Sequence, residues 1–121
     1  MNTEGKMTWR KAPSELVEHF TATLAGIPGA EVRKMFGYPA AFANGHMFTG
    51  LFADEWMIRL PEAGRIELTA LGGRPLEPMP GKPMREYLSL PEAVVADAEA
   101  LAAWLERAMA MVVAMPPKKG R

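Results

Sequence analysis

The amino-acid sequence predicts a two-layer α+β domain, in which an N-terminal helix, a short middle helix and a long C-terminal helix pack on an antiparallel meander sheet. Three observations lead to this fold class. Apolar residues recur with a helical period near both ends of the chain and in a short stretch after residue 60. The run 31–60 instead resembles extended chain and holds two tight turn signals. Glycine and proline residues separate these segments.

The composition indicates a single globular domain. The chain has 121 residues, of which 49% are hydrophobic, enough for a core of its own. Lysine plus arginine equals aspartate plus glutamate at 14 each, and the zero net charge argues against direct nucleic-acid binding. Cysteine is absent, which excludes disulfides and thiolate chemistry. No apolar stretch reaches the roughly 18 residues of a membrane span, and we expect a cytoplasmic protein without membrane contact.

The first helix is expected to begin at Pro13 and Ser14. Proline suits the first turn of a helix, and a serine hydroxyl accepts a bond from an amide that the helix leaves unpaired. Gly26 is expected to end the helix. Its apolar face carries Leu16, Val17, Phe20 and Leu24.

Four extended segments are expected next, at residues 31–36, 40–43, 46–53 and 56–60. Asn44-Gly45 is a strong hairpin signal, because a type I′ turn needs positive φ at both central residues. A second turn is expected at Asp54-Glu55. Residues 37–39 bend or break the chain, so the first two segments count as one bent strand or as two.

The two turns set an expected register. Two-residue loops give the cross-strand partners Phe42 with Met47, Phe52 with Met57, and Leu51 with Ile58. One sheet face is then expected to carry Phe42, Met47, Leu51, Trp56, Ile58 and Leu60. The other is expected to carry His46, Phe48, Gly50, Phe52, Met57 and Arg59. Because this second face is apolar at its centre, we expect something to cover it.

A short middle helix is expected over residues 61–71. Its apolar positions are Ile66, Leu68 and Leu71. Residues 74–83 hold four prolines and are expected to form a loop, with a short edge strand near Leu76. A further strand is expected over 84–90.

The last helix is expected to be the longest and to run from Glu92 to Ala114. Its core stripe carries Val94, Ala98, Leu101, Leu105, Ala108 and Val112. Residues 116–121 begin with two prolines and are predicted to form a disordered tail. The predicted organisation is therefore a flexible leader at 1–11, one domain at 12–115 and this tail.

No residue pattern predicts catalysis, a cofactor or a metal site. The two histidines, His19 and His46, lie far apart and lack carboxylates at ligand spacing, so each is interpreted as a surface or partly buried histidine. No serine or threonine lies in a nucleophile elbow. Most of the ten methionines are expected to fill the core. We therefore expect no enzymatic activity and no cofactor.

Several short strings occur in a fixed order along the chain. They are Val32-Arg33-Lys34-Met35-Phe36-Gly37, Asn44-Gly45 with Met47-Phe48, Leu51-Phe52-Ala53-Asp54, Ile58-Arg59-Leu60, Pro78 to Met84 leading into Tyr87, and Trp104-Leu105. As a set they resemble the N-terminal domain of the TfoX/Sxy family, over residues from about Leu16 to about Pro117.

The resemblance implies a two-layer α+β domain with helices at both chain ends, similar to the folds of secretion chaperones and YjbR-like proteins. Founding members of the family regulate the transcription of competence genes, alongside a cyclic-AMP-responsive activator. Those regulators carry a second, helical domain, and we expect a standalone short member here. The family offers no catalytic residues to carry over.

The expected function is that of a non-enzymatic interaction module, related to transcription regulators, that acts through protein–protein contact. The second sheet face supplies the expected contact surface, at Phe48, Phe52 and Met57. A homodimer is the simplest arrangement through this surface.

Two other functions stay open. One is a small-ligand or enzymatic site of unknown substrate, with a polar lining from His46, Arg59 and Tyr87. The other is a regulator that binds DNA directly, which a salt-dependent affinity would reveal.

Overall fold

The structure, a computed structural model, describes residues 11–77 and 84–118, and their helices and strands form two layers. In chain order the elements are α1 (Ser14–Ala25), β1 (Glu31–Met35), β2 (Tyr38–Ala43), β3 (His46–Phe52), β4 (Glu55–Arg59), α2 (Glu62–Ala70), β5 (Arg74–Pro75), β6 (Tyr87–Ser89), α3 (Glu92–Val95) and α4 (Ala98–Val113). The predicted α+β class is confirmed. The leader expected at 1–11, except for Lys11, and most of the proline-rich loop lie outside the described residues.

The six strands form one antiparallel sheet in the order β1-β2-β3-β4-β6-β5. The first four strands are the predicted meander. At one edge lies β1, with five residues, and at the other lies β5, which has two residues and ends in Pro75. Because a proline has no amide hydrogen to donate to a neighbouring strand, this short edge is protected from pairing with a further strand.

Phe36 and Gly37 form a turn that separates β1 from β2. Their φ angles of 54° and 86° are both positive, as a type I′ hairpin turn requires. Met35 accordingly pairs with Tyr38 across the turn. The stretch 31–43 is therefore two antiparallel strands and not one bent strand.

A β-bulge in β3 changes which side chains share a face. Phe42 pairs with Met47 as predicted, but Ala41 pairs with Thr49, so Phe48 is an extra residue between the two pairs. Beyond the bulge the alternation of side chains is shifted by one residue, because successive residues of a strand point to opposite faces.

The bulge makes part of the predicted face assignment wrong. From the observed pairing, one face of the sheet, called here the core face, carries Ala41, His46, Phe48, Thr49, Leu51, Trp56 and Ile58. The other, called here the second face, carries Ala40, Phe42, Met47, Gly50, Phe52, Met57 and Arg59. Phe42 and Met47 have thus moved to the second face, and His46 and Phe48 to the core face.

The turn between β3 and β4 lies one residue earlier than expected. Phe52 pairs with Glu55 and Leu51 with Trp56, so the central residues are Ala53 and Asp54. Ala53 takes a φ of 55° there. The observed pairing differs from the expected one by two residues. Because side chains alternate between the faces with a period of two, Leu51, Trp56 and Ile58 still share one face.

The helices pack on the core face. Trp56 meets α1 there, with its ring centroid 5.0 Å from that of Phe20 and 5.3 Å from that of His19. The largest fully buried apolar side chains are Trp56, Phe20, Phe48, Leu24, Leu51, Ile58, Leu60, Leu68, Leu101, Leu105 and Val112. Strands and all three long helices contribute to this list, so one core joins the two layers.

The predicted helix from Glu92 to Ala114 is two helices, α3 and α4. The break lies at Asp97, whose carboxylate accepts hydrogen bonds from the amides of Glu99 and Ala100 at 3.1 and 3.2 Å. An aspartate side chain that satisfies the first amides of a helix marks its beginning. The expectation of one continuous helix is wrong for this reason.

The chain beyond α4 contacts the β2–β3 turn. The Lys118 amide donates to the Asn44 carbonyl at 3.2 Å, and the His46 ring nitrogen Nε2 donates to the Pro116 carbonyl at 2.9 Å. Residues 116–118 are thus hydrogen-bonded to the domain. The rest of the predicted tail, 119–121, lies outside the described residues.

Candidate functional site

The second face has an apolar centre of small and large side chains. A Cβ atom added to Gly50 would lie 3.2 Å from Met57 Cε and 3.3 Å from Ala40 Cβ. The Met57 side chain therefore lies across Gly50, and the missing side chain of the glycine gives it room. Ala40, Phe42 and Met57 are all buried, and Met57 is 9% exposed. The centre of this face is already largely removed from water within the single chain.

Phe48 does not belong to the contact surface predicted for it. Its side chain is 0% exposed and packs in the core cluster, because the bulge turns it toward the helices. Of the three predicted surface residues, Phe52 and Met57 share the second face and Phe52 is partly buried. The Phe52 ring packs edge-on against Tyr38, with centroids 5.5 Å apart.

Ion pairs line the margin of the second face. They are Arg33 with Glu31 at 3.2 Å, Arg59 with Glu86 at 2.7 Å and Arg74 with Glu55 at 3.3 Å. Arg33 also lies over the Phe42 ring, 4.6 Å from its centroid. The second face is therefore apolar at its centre, as expected, and charged at its edges.

The structure separates the three residues that were expected to line a polar pocket. Arg59 and Tyr87 are cross-strand partners on β4 and β6, and the Arg59 guanidinium lies 6.0 Å from the Tyr87 ring centroid. His46 is on the opposite face, where its ring bonds the Pro116 carbonyl. A pocket with all three side chains in its lining is therefore not formed.

Tyr87 is held in one position by its neighbours. Its hydroxyl donates to the Met47 carbonyl at 3.1 Å. Burial raises the pKa of the hydroxyl above its usual value, the Arg59 charge opposes this rise, and the Glu86 charge adds to it. The hydroxyl is thus neutral at physiological pH, and its hydrogen is already donated to the Met47 carbonyl.

An open depression lies beside Tyr87, between α2 and the β5–β6 pair. We call it the α2 groove; its volume is about 470 Å³. Its lining includes Arg65, Ile66, Leu76, Met84, Arg85 and Tyr87. Sequence reasoning missed this site, because its residues come from segments some twenty positions apart and carry no common motif.

Two guanidinium groups border the groove. Arg65 donates to the Leu60 carbonyl at 2.6 Å, which orients its side chain. Among the described residues, neither Arg65 nor Arg85 forms an ion pair with a carboxylate. Glu62 lines the same groove, so the local charge is one positive unit in excess. Such a site favours a carboxylate or phosphate group, which arginine binds with two parallel hydrogen bonds.

Ile66 adds an apolar contact to the groove. It was expected to face the core together with Leu68 and Leu71, but only Leu68 is buried. Ile66 is 65% exposed and lines the groove on the outer side of α2. The sequence alone does not show this, because the apolar pattern of α2 places Ile66 with the core residues and Arg85 lies in a separate segment.

The described helices include none long and apolar enough to cross a membrane. The chain matches no curated protein. A family model does match it: the TfoX N-terminal domain, over residues 22–112. This match covers most of the 121 residues and includes every strand of the sheet. The chain therefore belongs to the TfoX N-terminal domain family.

Proposed function

We propose that the chain is a non-enzymatic, cytoplasmic interaction module with a regulatory role, and that it binds an acidic segment of a partner protein in the α2 groove. The observation that carries this proposal is the pair Arg65 and Arg85, which border an apolar depression without a described carboxylate partner. Membership of the TfoX N-terminal domain family supports the regulatory part, since founding members regulate transcription.

The residue types in the groove favour a protein partner. Arginine, tyrosine and methionine are enriched at protein interfaces, and Arg85, Tyr87 and Met84 lie side by side here. Ile66 offers an apolar anchor that is already exposed and needs no rearrangement. The groove is open to solvent and not enclosed, so it fits a chain segment better than an enclosed small molecule.

The charge distribution favours an acidic partner over DNA. The chain as a whole has no net charge, whereas proteins that bind the phosphate backbone directly carry a basic excess. A local pair of guanidinium groups is enough for two carboxylates of a peptide. The proposed partner is therefore a protein, such as an activator bound to DNA, and the nucleic acid itself is not contacted.

Site-specific photo-crosslinking in the native cell tests the proposal. A photo-reactive amino acid at position 66 should capture a specific partner, while the same probe at Val113, an apolar residue that is also exposed, should not. Purified partner should then bind the wild-type chain, and its affinity for the Arg85→Glu variant should be about tenfold or more lower. Lys11→Glu, a charge reversal at an exposed site outside the groove, is the matched control.

Two results would contradict the proposal. One is that positions 66 and 113 capture the same proteins. The other is that Arg85→Glu and the control bind the purified partner equally well. If inorganic phosphate or a short dicarboxylate binds the chain at micromolar concentration and no protein partner is captured, the groove is a small-anion site instead.

A further inference from the structure

We propose that two copies of the chain associate through the outer edge of β1, as antiparallel strands with Val32 opposite Val32 of the second copy. The two sheets would then form one continuous sheet across a two-fold axis. This association goes beyond the proposed function and is independent of the α2 groove, since β1 and β5 lie at opposite edges of the sheet.

The backbone of β1 has unpaired groups on its outer side. Met35 and Tyr38 flank a two-residue turn and so form a hydrogen-bonded pair. Because such pairs alternate along antiparallel strands, Glu31, Arg33 and Met35 bond to β2. The amides and carbonyls of Val32 and Lys34 then point outward, where no strand of the described chain pairs with them.

The outer edge is accessible. Residues 31–34 are all exposed, and Val32 is 41% exposed although it is the one apolar residue among them. An edge strand with free backbone groups is a template for strand addition. The opposite edge does not offer this, because β5 has two residues and one is proline.

The charges on β1 select one register. Outward-pointing backbone groups occur at every second residue of β1. When two copies of this strand pair antiparallel through these groups, one residue must therefore lie opposite its own copy, at the two-fold axis. An axis at Glu31, Arg33 or Lys34 would put that residue opposite its own copy, and like charges directly opposite are unfavourable. An axis at Met35 would run each strand past the turn of the other copy. An axis at Val32 avoids both faults.

The register at Val32 also creates opposite-charge pairs. Glu31 lies opposite Arg33 of the second copy, and the symmetry repeats this pair on the other side of the axis. Such non-hydrogen-bonded pairs bring Cα atoms to about 4.5 Å, the closer of the two spacings. Arg33 is already held on that face, since it lies over Phe42 and bonds its own Glu31. Four charges of alternating sign would then meet at the axis.

The backbone can complete this ladder at the groups that remain free. The two Val32 residues exchange amide and carbonyl bonds with each other. Lys34 lies opposite Ala30 of the second copy and can donate to its carbonyl. The Ala30 amide is already bonded to the Ile27 carbonyl at 3.2 Å and does not take part.

A charge-swap series tests this arrangement. Glu31→Arg places two positive charges opposite each other at both positions, and Arg33→Glu does the same with negative charges. Each single variant should self-associate at least about tenfold more weakly than the wild type in sedimentation equilibrium. An equimolar mixture of the two variants should restore the dimer, because the arginines at positions 31 and 33 of one variant would then face the glutamates at positions 33 and 31 of the other. Glu106→Arg, at an exposed site of α4, is the matched control.

Every outcome decides the question. A wild-type chain that stays monomeric at its highest soluble concentration overturns the proposal. A dimer that both single variants retain lies at another surface, such as the α2 groove. Weakening by both variants without recovery in the mixture rejects the register at Val32. Circular dichroism establishes that the single variants are folded.

Amide hydrogen exchange gives a second, independent measurement. The Val32 and Lys34 amides should exchange more slowly as the concentration rises through the dimerisation range, while the Arg33 amide should not change. Equal concentration dependence for all three amides would contradict strand pairing at this edge. The groove test with Arg85→Glu is unaffected by either result, so the two proposals fail separately.

Discussion

The Asn44 side chain donates to the Met115 carbonyl at 2.8 Å, so the turn of a β-hairpin caps the C-terminal end of the last helix. The same amide also donates to the Val112 carbonyl at 3.1 Å. Carbonyls in the last turn of a helix have no partner within the helix and need one elsewhere. Asn44 supplies it across nearly seventy residues of sequence, and thereby joins the sheet to α4.

Asn44→Asp is expected to destabilise the domain more than Asn44→Gly. Both substitutions keep a residue that tolerates the φ of 57°, and both remove the donor. Aspartate in addition places a carboxylate against carbonyls at the negative end of a helix. We expect a loss of about 2–3 kcal/mol for Asp and about 1 kcal/mol for Gly, measured by urea unfolding. Equal stability of Asn44→Asp and the wild type would show that the cap contributes nothing.

Gly45→Ala should lower the free energy of unfolding of the domain for two reasons that can be measured separately. The φ of 82° strains an alanine, and an added Cβ would lie 2.5 Å from the Lys118 carbonyl oxygen. The strain alone is worth about 1–3 kcal/mol. In a chain that ends at Met115 the close contact is absent and only the strain remains. The substitution should therefore cost less in the shortened chain, a difference that a double-mutant cycle measures. Equal costs in both chains would show that the tail does not pack on the turn.

The Asn44-Gly45 hairpin was predicted correctly because its signal rests on local backbone geometry. Asn44-Gly45 requires positive φ at two successive positions, and these residue types accept it. The bulge at Phe48 has no such signal. The bulge turns Phe48 into the core, among segments that are distant in sequence, and a reading of local residues does not include those contacts. The predicted faces were therefore right on β4 and wrong at the end of the β2–β3 hairpin.

Longer-range features were predicted less well for the same reason. The apolar period continues through Asp97, so periodicity alone joined α3 and α4, although aspartate before a helix is a known cap. The α2 groove depends on Arg65 and Arg85 coming together in space. Only the packing of α2 beside β6 brings these two residues to one site, and no spacing in the sequence encodes it.

Thr49→Val should destabilise the core although it hardly changes the side-chain volume. The Trp56 indole N–H donates to the Thr49 hydroxyl at 2.9 Å, and that hydroxyl donates to the Met57 carbonyl at 2.7 Å. Valine leaves the buried indole N–H without an acceptor, at a cost of about 1–3 kcal/mol in the free energy of unfolding. Thr49→Ser keeps the hydroxyl and should recover part of this loss, beyond what its missing methyl group costs. A valine variant more stable than the serine variant would reject the importance of the bond.

The raised pKa of Tyr87 predicts a loss of stability at high pH. Because the pKa is higher in the folded than in the unfolded chain, the unfolded chain loses this proton first as pH rises. The contribution of the hydroxyl is fully present below the unfolded value of about 10, and it is lost as pH rises through the folded value. Wild type should therefore lose more stability than Tyr87→Phe between about pH 9 and pH 11 in urea unfolding.

The comparison with Tyr87→Phe isolates this residue, because all other titrating groups are common to both chains. At neutral pH the phenylalanine variant should be less stable by about 1 kcal/mol, since it loses the bond from the hydroxyl to the Met47 carbonyl. The gap between the two chains should then narrow as pH rises, because the wild type alone gives up the stabilising effect of a buried neutral hydroxyl. A gap that stays constant over this pH range would mean that the folded and unfolded pKa values of Tyr87 are the same.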